Sequence, residues 1–184
     1  AALGTELAFE FLTKVPDEPM TSLQFGRYGA GFIPDTGPKT DLVIGISVSG
    51  GVSRTAEALR MGRQAGATTV ALTATPNSVV AEAAEIILDV PVPEFPSPEG
   101  MIIPGVRSYL TSQVGLLLTA VRIAEVRGEL NNAQATEYRA EIKGMADVTR
   151  ETIKACDPLA KKAAEKWAKE GEFIFAGSGP NFPT

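Results

Sequence analysis

A turn rich in hydroxyl and glycine residues, Ser47-Val48-Ser49-Gly50-Gly51, is the segment of this sequence best suited to chemistry. Two further hydroxyl side chains follow at Ser53 and Thr55, where a helix is predicted to begin. The first N–H groups of a helix have no intrahelical acceptor and carry a partial positive charge, which suits a phosphate group. Glycine lets the backbone approach such a ligand closely. The turn therefore predicts a phosphate cradle made of hydroxyl and amide donors.

The same residues also have a purely structural interpretation. Ser and Thr are frequent helix N-caps and turn formers, and a single hydroxyl is more often structural than ligand-binding. From composition alone the two interpretations stand about even. The turn is not a Walker A loop, because the Lys-Ser/Thr ending is absent, and it is not a GxGxxG dinucleotide loop.

Alternating strand and helix patterns position this turn. Apolar runs at 41–46, 68–73 and 86–90 are typical of strands buried on both faces, and helices are predicted at 53–65 and 79–84 between them. Strand–helix–strand repeats with short connections predict right-handed crossovers and an open parallel sheet covered by helices. Ligands of such sheets bind beyond the carboxyl ends of the strands, which is where the turn lies.

The other segments are predicted from helical spacing and from breaker residues. Helices are expected at 1–13, 108–127, 133–155 and 159–169, and short strands at 20–25 and 172–176. The last two helices are amphipathic and charged, which indicates an exposed helical linker. The sequence opens inside a predicted helix and stops just after a strand and a glycine turn, so both ends are expected to continue into further structure.

Composition excludes several classes of function. The 184 residues include no histidine and one cysteine, Cys156, which excludes Ser-His-Asp triads, histidine metal sites and an intrachain disulfide within this sequence. A formal net charge of −5 without basic runs argues against nucleic acid or an anionic membrane as a partner. No apolar run approaches the ~20 residues of a membrane span. The lone cysteine suits a reducing cytoplasm.

The segment from Ser47 to Thr55 resembles the Ser-x-Ser-Gly-x-(Thr/Ser) signature of the SIS, or sugar isomerase, domain family. Other segments resemble the family in the same order along the chain. They are Ser22-Leu23-Gln24-Phe25, VALTATPNSVVAEAAEIILDVP, Ser97-Pro98-Glu99, TSQVGLLLTAVRIAEVRG and the closing FIFAGSGPN. The order is similar to that of tandem-SIS enzymes, such as the isomerase half of glucosamine-6-phosphate synthase and fructosamine deglycases.

The resemblance implies a three-layer α/β/α sandwich with a parallel, flavodoxin-like sheet. It divides the chain into an SIS domain at 1–130 that lacks its first strand, a helical linker at 131–171, and the start of a second SIS domain at 172–184. The catalytic glutamate of tandem members would then lie beyond this sequence, and the His and Lys of the synthases have no match in it. Catalytic residues therefore stay unassigned.

The resemblance also implies which side chains hold a sugar phosphate. Val52 stands where the family usually has Thr, so the hydroxyl one position later is the expected substitute. The implied phosphate contacts are Ser47, Ser49, Gly50, Ser53 and Thr55. No metal and no organic cofactor is implied.

Charged residues near the strand ends are further candidates. Arg107 and Ser108 fall near a family segment that closes over the sugar. Arg54 and Arg107 both have the chemistry to neutralise a phosphate, and we favour Arg107 because the Arg54 side chain, in the first turn of its helix, is expected to point to solvent. Glu94 and Glu99 have the chemistry of a general base, although a solvated loop carboxylate is the favoured interpretation of both.

These features predict a phosphosugar-binding chain that belongs to an aldose–ketose isomerase or an amino-sugar phosphate deaminase or deglycase. Whether it is enzymatic stays open, and a non-catalytic phosphosugar-sensing module is the alternative because no acid–base side chain is recognisable. A cytoplasmic homodimer without nucleic-acid or membrane partners is expected. A nucleotide-binding domain of the same fold is disfavoured, since no acidic ribose-binding residue follows at the expected spacing.

Overall fold

Three parallel strands form the centre of the molecule in the computed structural model, which describes residues 1–34, 40–94 and 105–179. The strands are β1 (Leu42–Ile46), β2 (Thr68–Thr73) and β3 (Ile86–Asp89). The helices are α1 (Ala2–Thr13), α2 (Ser22–Arg27), α3 (Ser53–Gln64), α4 (Val79–Glu82), α5 (Val106–Arg127) and α6 (Asn132–Trp167), and a 3₁₀ turn lies at Gly29–Phe32.

The sheet has the order β1-β2-β3, with every pair parallel. Ile46 at the end of β1 lies opposite Leu72, and Thr73 at the end of β2 lies opposite Asp89. All three strands therefore end at the same edge of the sheet. The predicted strand–helix–strand repeat is confirmed, with α3 connecting β1 to β2 and α4 connecting β2 to β3.

Helices cover both faces of β2. Ala71 belongs to a buried cluster with Ala56 and Leu59 of α3. The next residue, Leu72, points to the opposite face because side chains alternate along a strand. There it meets α5, where a Cβ added to Gly115 would lie 3.3 Å from Leu72 Cδ1. This arrangement is the expected three-layer α/β/α sandwich.

A second buried cluster joins the helices that flank the sheet. It contains Leu12 of α1, Ala120, Val121 and Ala124 of α5, and Ala135 of α6. Small alanine side chains let these helices approach closely. Ala135 is the one buried residue among the 36 of α6, so the cluster fixes the beginning of α6 and leaves most of its length exposed.

The expected strand at 20–25 is wrong, because this segment forms α2. Thr21 Oγ1 accepts a hydrogen bond from Gln24 N at 3.2 Å, and Gln24 Oε1 accepts one from Thr21 N at 3.1 Å. This capping box satisfies donors that a helix start would otherwise leave unpaired. A local helix-start signal therefore outweighs the apolar residues that indicated a strand.

The expected helix break before Pro158 is also wrong, since α6 runs through it. Proline removes one i→i−4 hydrogen bond, but the neighbouring bonds can still carry a helix past it. After α6, residues 172–176 have no regular structure, and Ile174 and Phe175 are almost fully exposed. The expected strand at 172–176 is therefore not formed in this structure. The division into 1–130, 131–171 and 172–184 stays a prediction.

The outer edge of β1 has no strand partner among the described residues. It borders a groove of about 740 Å³ that is also lined by Thr5 and Phe9 of α1 and by Leu116 and Ile123 of α5. The expectation of a strand that precedes α1 stays a prediction. None of the described helices combines the length and the apolar character needed to cross a membrane.

A charged junction links the end of α5 to the start of α6. Glu125 accepts a hydrogen bond from Arg139 Nη2 at 2.7 Å and one from Arg122 Nη1 at 2.8 Å. The hydrogen bond from Arg139 is the largest cause of a lowered pKa of Glu125, and the hydrogen bond from Arg122 is the next largest. The pKa of Glu125 is therefore lower in the folded state than in the unfolded state. The two hydrogen bonds stabilise the folded state fully at pH values above the unfolded pKa, and this stabilisation is lost as the pH falls through the folded pKa.

Substituting glutamine for Glu125 is therefore expected to lower the midpoint of thermal unfolding at pH 7. The difference from the unmodified chain should shrink once the pH falls below about 4.3, the ordinary value for glutamate, and vanish when Glu125 is protonated. Thermal unfolding followed by circular dichroism between pH 7 and pH 3 measures this, with Glu137→Gln on α6 as the control. A difference that persists at pH 3 would show that packing, and not charge, holds the junction.

Candidate functional site

The turn from Ser47 to Val52 connects the end of β1 to the start of α3 at the carboxyl edge of the sheet. Ser47 N donates to Leu72 O at 3.0 Å and extends the pairing with β2 by one residue. Gly50 N then donates to Ser47 O at 3.1 Å, which closes a tight turn. β1, whose residues are half-buried apart from the exposed Leu42, thus carries the backbone directly to the beginning of a helix. The sequence predicts this strand–turn–helix order, but it predicts a strand buried on both faces.

The hydroxyl of Ser47 is buried and has no hydrogen-bond partner among the described residues. Only 6% of this residue is exposed. A buried polar atom without a partner costs about 1–3 kcal/mol, and most such atoms in folded proteins are paired. Among the described residues this is the one buried side-chain oxygen or nitrogen without a partner, and it lies in the turn that the sequence marks for ligand binding.

Gly50 adopts a left-handed backbone conformation, with φ at +64°. A Cβ at this position would lie 2.0 Å from Ser78 Oγ and 2.3 Å from Ser78 Cβ. Both the conformation and the space therefore require glycine. Ser78 itself caps α4 by accepting a hydrogen bond from Ala81 N at 3.3 Å, so it is not free to move away.

The N-terminus of α3 has no side-chain cap. Its N-cap residue is Val52, whose side chain makes no capping hydrogen bond. Val52 O accepts from Thr55 N and Ala56 N, whereas the N–H groups before Thr55 have no intrahelical acceptor. Ser49 and Ser53 are exposed beside them. The turn and the helix start therefore present hydroxyl and amide donors together, which is the chemistry of an anion site.

Thr55 is placed differently from the other predicted contacts. Its side chain is buried, and its hydroxyl shares a hydrogen bond with Ser22 Oγ at 3.1 Å. This bond ties α2 to the first turn of α3. Arg54 Nη1 pairs with Glu57 Oε2 at 2.8 Å on the exposed side of α3. Neither side chain is left unpaired for a ligand in this structure.

The other predicted residues lie at the start of α5 and in the connection before it. Arg107 Nη1 donates to Pro93 O at 2.6 Å, and Ser108 Oγ donates to Gly105 O at 2.7 Å. Neither acceptor belongs to the turn. Glu94 is exposed, and Glu99 lies outside the described residues. The assignment of Arg107 and Ser108 as residues near the sugar stays a prediction.

Sequence reasoning missed the residues that support the turn from β2 and its following connection. The carbonyl oxygens of Val48 and Gly50 accept hydrogen bonds from residues 73–75 and from Val80 N, respectively. The signal was present, because hydroxyl residues at the carboxyl ends of two neighbouring parallel strands must lie at the same edge of the sheet.

Known proteins are similar to this chain in sequence and in fold. Residues 38–119 match the model of the SIS domain family. Glutamine–fructose-6-phosphate aminotransferase [isomerizing] of Clostridium tetani is 28% identical over 182 residues, which cover 99% of this chain and 28% of that relative. The protein of the same name from Bradyrhizobium diazoefficiens is 29% identical over 147 residues, which cover 79% of this chain and 23% of that relative.

A solved structure, the C-terminal domain of glucosamine-fructose-6-phosphate aminotransferase from Francisella tularensis, matches with a TM-score of 0.75 at 20% identity. That match covers 99% of this chain and 49% of the solved one, so the likeness extends over the whole α/β/α arrangement. The chain spans about a quarter of the length of the two curated relatives. The family match takes in the sheet, the Ser-x-Ser-Gly turn and the start of α5 together, so residues 38–119 of this chain are similar to the SIS domain family in the part that carries the turn.

Proposed function

We propose that this chain binds a phosphorylated sugar at the β1–α3 turn. The observation that carries the proposal is the buried hydroxyl of Ser47, which has no partner among the described residues. A phosphate oxygen beside it would supply the missing acceptor and remove the cost of leaving the hydroxyl unpaired. The relatives named for fructose-6-phosphate chemistry support a sugar phosphate as the source of that oxygen.

Neutral donors would provide most of the attraction for the phosphate. In the proposal, Ser47 and Ser49 donate from their hydroxyls, Gly50 lets the backbone approach, and Ser53 adds a hydroxyl at the start of α3. Hydrogen bonds to a charged group are worth about twice as much as bonds between neutral groups. The α3 N-terminus adds a favourable dipole. These local donors can therefore attract a phosphate without a lysine, although the chain has a net charge of −5.

The proposed reaction of the protein that contains this chain is aldose–ketose isomerisation or removal of an amine from an amino-sugar phosphate. Either reaction moves a proton between neighbouring sugar carbons, and a carboxylate base is suited to that step. Phosphate anchoring would hold the sugar in one position relative to the base. The turn itself contributes hydroxyl and amide groups, which do not titrate near neutral pH, so the base must come from elsewhere.

A phosphosugar-sensing module is the second candidate. It is favoured by the chemistry of the turn, whose donors can bind a phosphate but cannot move a proton at pH 7.

A cytoplasmic location and a homodimer remain parts of the proposal. The exposed thiol of Cys156 suits a reducing compartment, and α6 exposes Met145, Val148 and Leu159, which provide apolar surface for a second copy.

Isothermal titration calorimetry with glucosamine-6-phosphate, fructose-6-phosphate, glucosamine and inorganic phosphate tests the binding proposal. We expect at least one sugar phosphate to bind, glucosamine not to bind, and inorganic phosphate to bind more weakly because it lacks the sugar contacts. Absence of binding by both sugar phosphates would overturn the proposal. Deuterium incorporation from heavy water, at C2 of glucosamine-6-phosphate or at C1 of fructose-6-phosphate, is measured with the protein that contains this chain. It separates the two candidates, since only an enzyme exchanges these protons.

A further inference from the structure

Three donors from the neighbouring strand and its connection converge on the carbonyl oxygen of Val48. Ala74 N lies 3.1 Å from this oxygen, and Thr73 Oγ1 and Thr75 Oγ1 each lie 3.3 Å from it. The two threonines are 25 and 27 residues away from Val48 in sequence. These bonds therefore connect the ends of two strands, and they do not arise from local turn geometry.

The hydroxyl of Thr73 has two partners at once. It accepts a hydrogen bond from Thr75 N at 3.1 Å while it lies 3.3 Å from Val48 O. Since the accepted bond fixes one side of the hydroxyl, its hydrogen is available for Val48 O. Thr73 is fully buried, whereas Thr75 is exposed. The exposed hydroxyl is thus the one that can be removed with the least disturbance of packing.

The direction of the Val48 carbonyl fixes the direction of the next amide. In a trans peptide the C=O and the following N–H point to opposite sides of the same plane, and the described chain has no cis peptide bond. Because Val48 O points to β2 and its connection, Ser49 N–H must point away from them. Val80 N donates to Gly50 O at 3.1 Å, so the Gly51 N–H points away from α4, and it donates to Ser49 Oγ at 3.4 Å.

We propose that Thr73 and Thr75 are positioning residues for the phosphate site. Their hydroxyls hold the Val48 carbonyl and thereby orient the Ser49 N–H toward the ligand. This inference rests on the proposed function of the turn. It differs from that function in assigning a role to side chains that do not touch the phosphate and act through the backbone of residues 48 and 49.

A modest effect is expected for each hydroxyl. A carbonyl oxygen has two lone pairs, so three donors share them, and 3.3 Å is long for a hydroxyl bond. A net hydrogen bond changes an equilibrium by roughly two- to tenfold. We therefore expect Thr75→Val to weaken sugar-phosphate binding by about threefold. Valine has the shape of threonine, and a β-branched residue suits the extended backbone that precedes Pro76.

The test compares Thr75→Val with Thr75→Ser and with the control Thr149→Val. Thr149 is exposed on α6 and donates to Met145 O, so the control removes a similar hydroxyl far from the turn. Calorimetry with glucosamine-6-phosphate gives the affinity. Hydrogen exchange followed by NMR gives the exchange rate, without ligand, of the Ala74 amide, which donates to Val48 O at 3.1 Å. We expect weaker binding and faster Ala74 exchange in Thr75→Val, because a Val48 carbonyl that is held less firmly protects the Ala74 amide less. We expect recovery of both in Thr75→Ser and neither change in the control.

The two proposals fail in different ways. If the unmodified chain binds no sugar phosphate, the proposed function is overturned, while the Ala74 exchange rate still tests whether Thr75 holds the Val48 carbonyl. If the unmodified chain binds and Thr75→Val binds equally well, or its Ala74 amide exchanges at the original rate, the positioning role of Thr75 is overturned. If Thr75→Ser binds as weakly as Thr75→Val, the loss comes from the shape of the side chain and not from the hydroxyl. This result would also overturn the positioning role of Thr75.

Discussion

Replacing Ser47 with alanine is expected to weaken sugar-phosphate binding by about tenfold or more and to leave the ligand-free protein as stable as before, or more stable. The lost contact is a hydrogen bond to a charged group, worth about 1.5–3 kcal/mol. Without ligand the hydroxyl is buried and unpaired among the described residues, so its removal relieves a cost. Affinity and stability should therefore change in opposite directions.

Calorimetry and thermal unfolding on the same samples measure the two effects. Thr69→Val is the matched control, because Thr69 is fully buried at the amino end of β2 and its hydroxyl accepts a bond from Glu85 N at 3.2 Å. The control should lose about 0.5–1.5 kcal/mol of stability and keep its affinity. An unchanged affinity in Ser47→Ala would remove the central residue of the proposed site. A loss of stability as large as that of the control would show that Ser47 has a structural partner.

Replacing Gly50 with alanine is expected to abolish measurable sugar-phosphate binding and to destabilise the chain by about 2–5 kcal/mol. The left-handed backbone accounts for about 1–2 kcal/mol of this, and the steric overlap with Ser78 accounts for the rest. Relief would require the turn to move away from the start of α4, and this would break the hydrogen bond from Val80 N to Gly50 O. The donors of the turn would then no longer converge.

Gly128→Ala separates backbone strain from steric overlap. Gly128 ends α5 with φ at +80°, and an added Cβ would meet nothing within 4 Å. This control should lose only about 1–2 kcal/mol and retain binding. Chemical denaturation gives both stabilities, and titration with glucosamine-6-phosphate gives the affinities. Equal losses of stability in the two variants would contradict the close contact between Gly50 and Ser78.

The sheet and the helices beside it follow from local patterns. Runs of apolar, β-branched residues at 42–46 and 68–73 can be buried on both faces, and this property alone indicates parallel strands. A serine before residues 79–82 indicates a helix start, and Ser78 caps α4 as such a residue should. The capping box of Thr21 and Gln24 was equally local, and attention to it would have predicted α2 in place of a strand.

Ser47 and Thr55 illustrate what the sequence could not decide. Both are hydroxyl residues that the family resemblance assigns to the phosphate site, and nothing in their local sequence shows which of them is paired within the protein. In the structure, Thr55 bonds to Ser22, which lies 33 residues away in sequence, whereas Ser47 has no partner among the described residues. Hydrogen-bond partners of this kind depend on which elements pack together, and this is set by the tertiary structure.

By itself the sequence determined that a strand would deliver hydroxyls and glycines to a helix start, since apolar periodicity and capping act within a few residues. The tertiary structure alone decided which of those groups have a hydrogen-bond partner among the described residues and which have none. The register between β1 and β2 brings Thr73 and Thr75 to the carbonyl of Val48, and the approach of α4 brings Ser78 against Gly50. These contacts span more than 20 residues, so their geometry exists only once the sheet has formed.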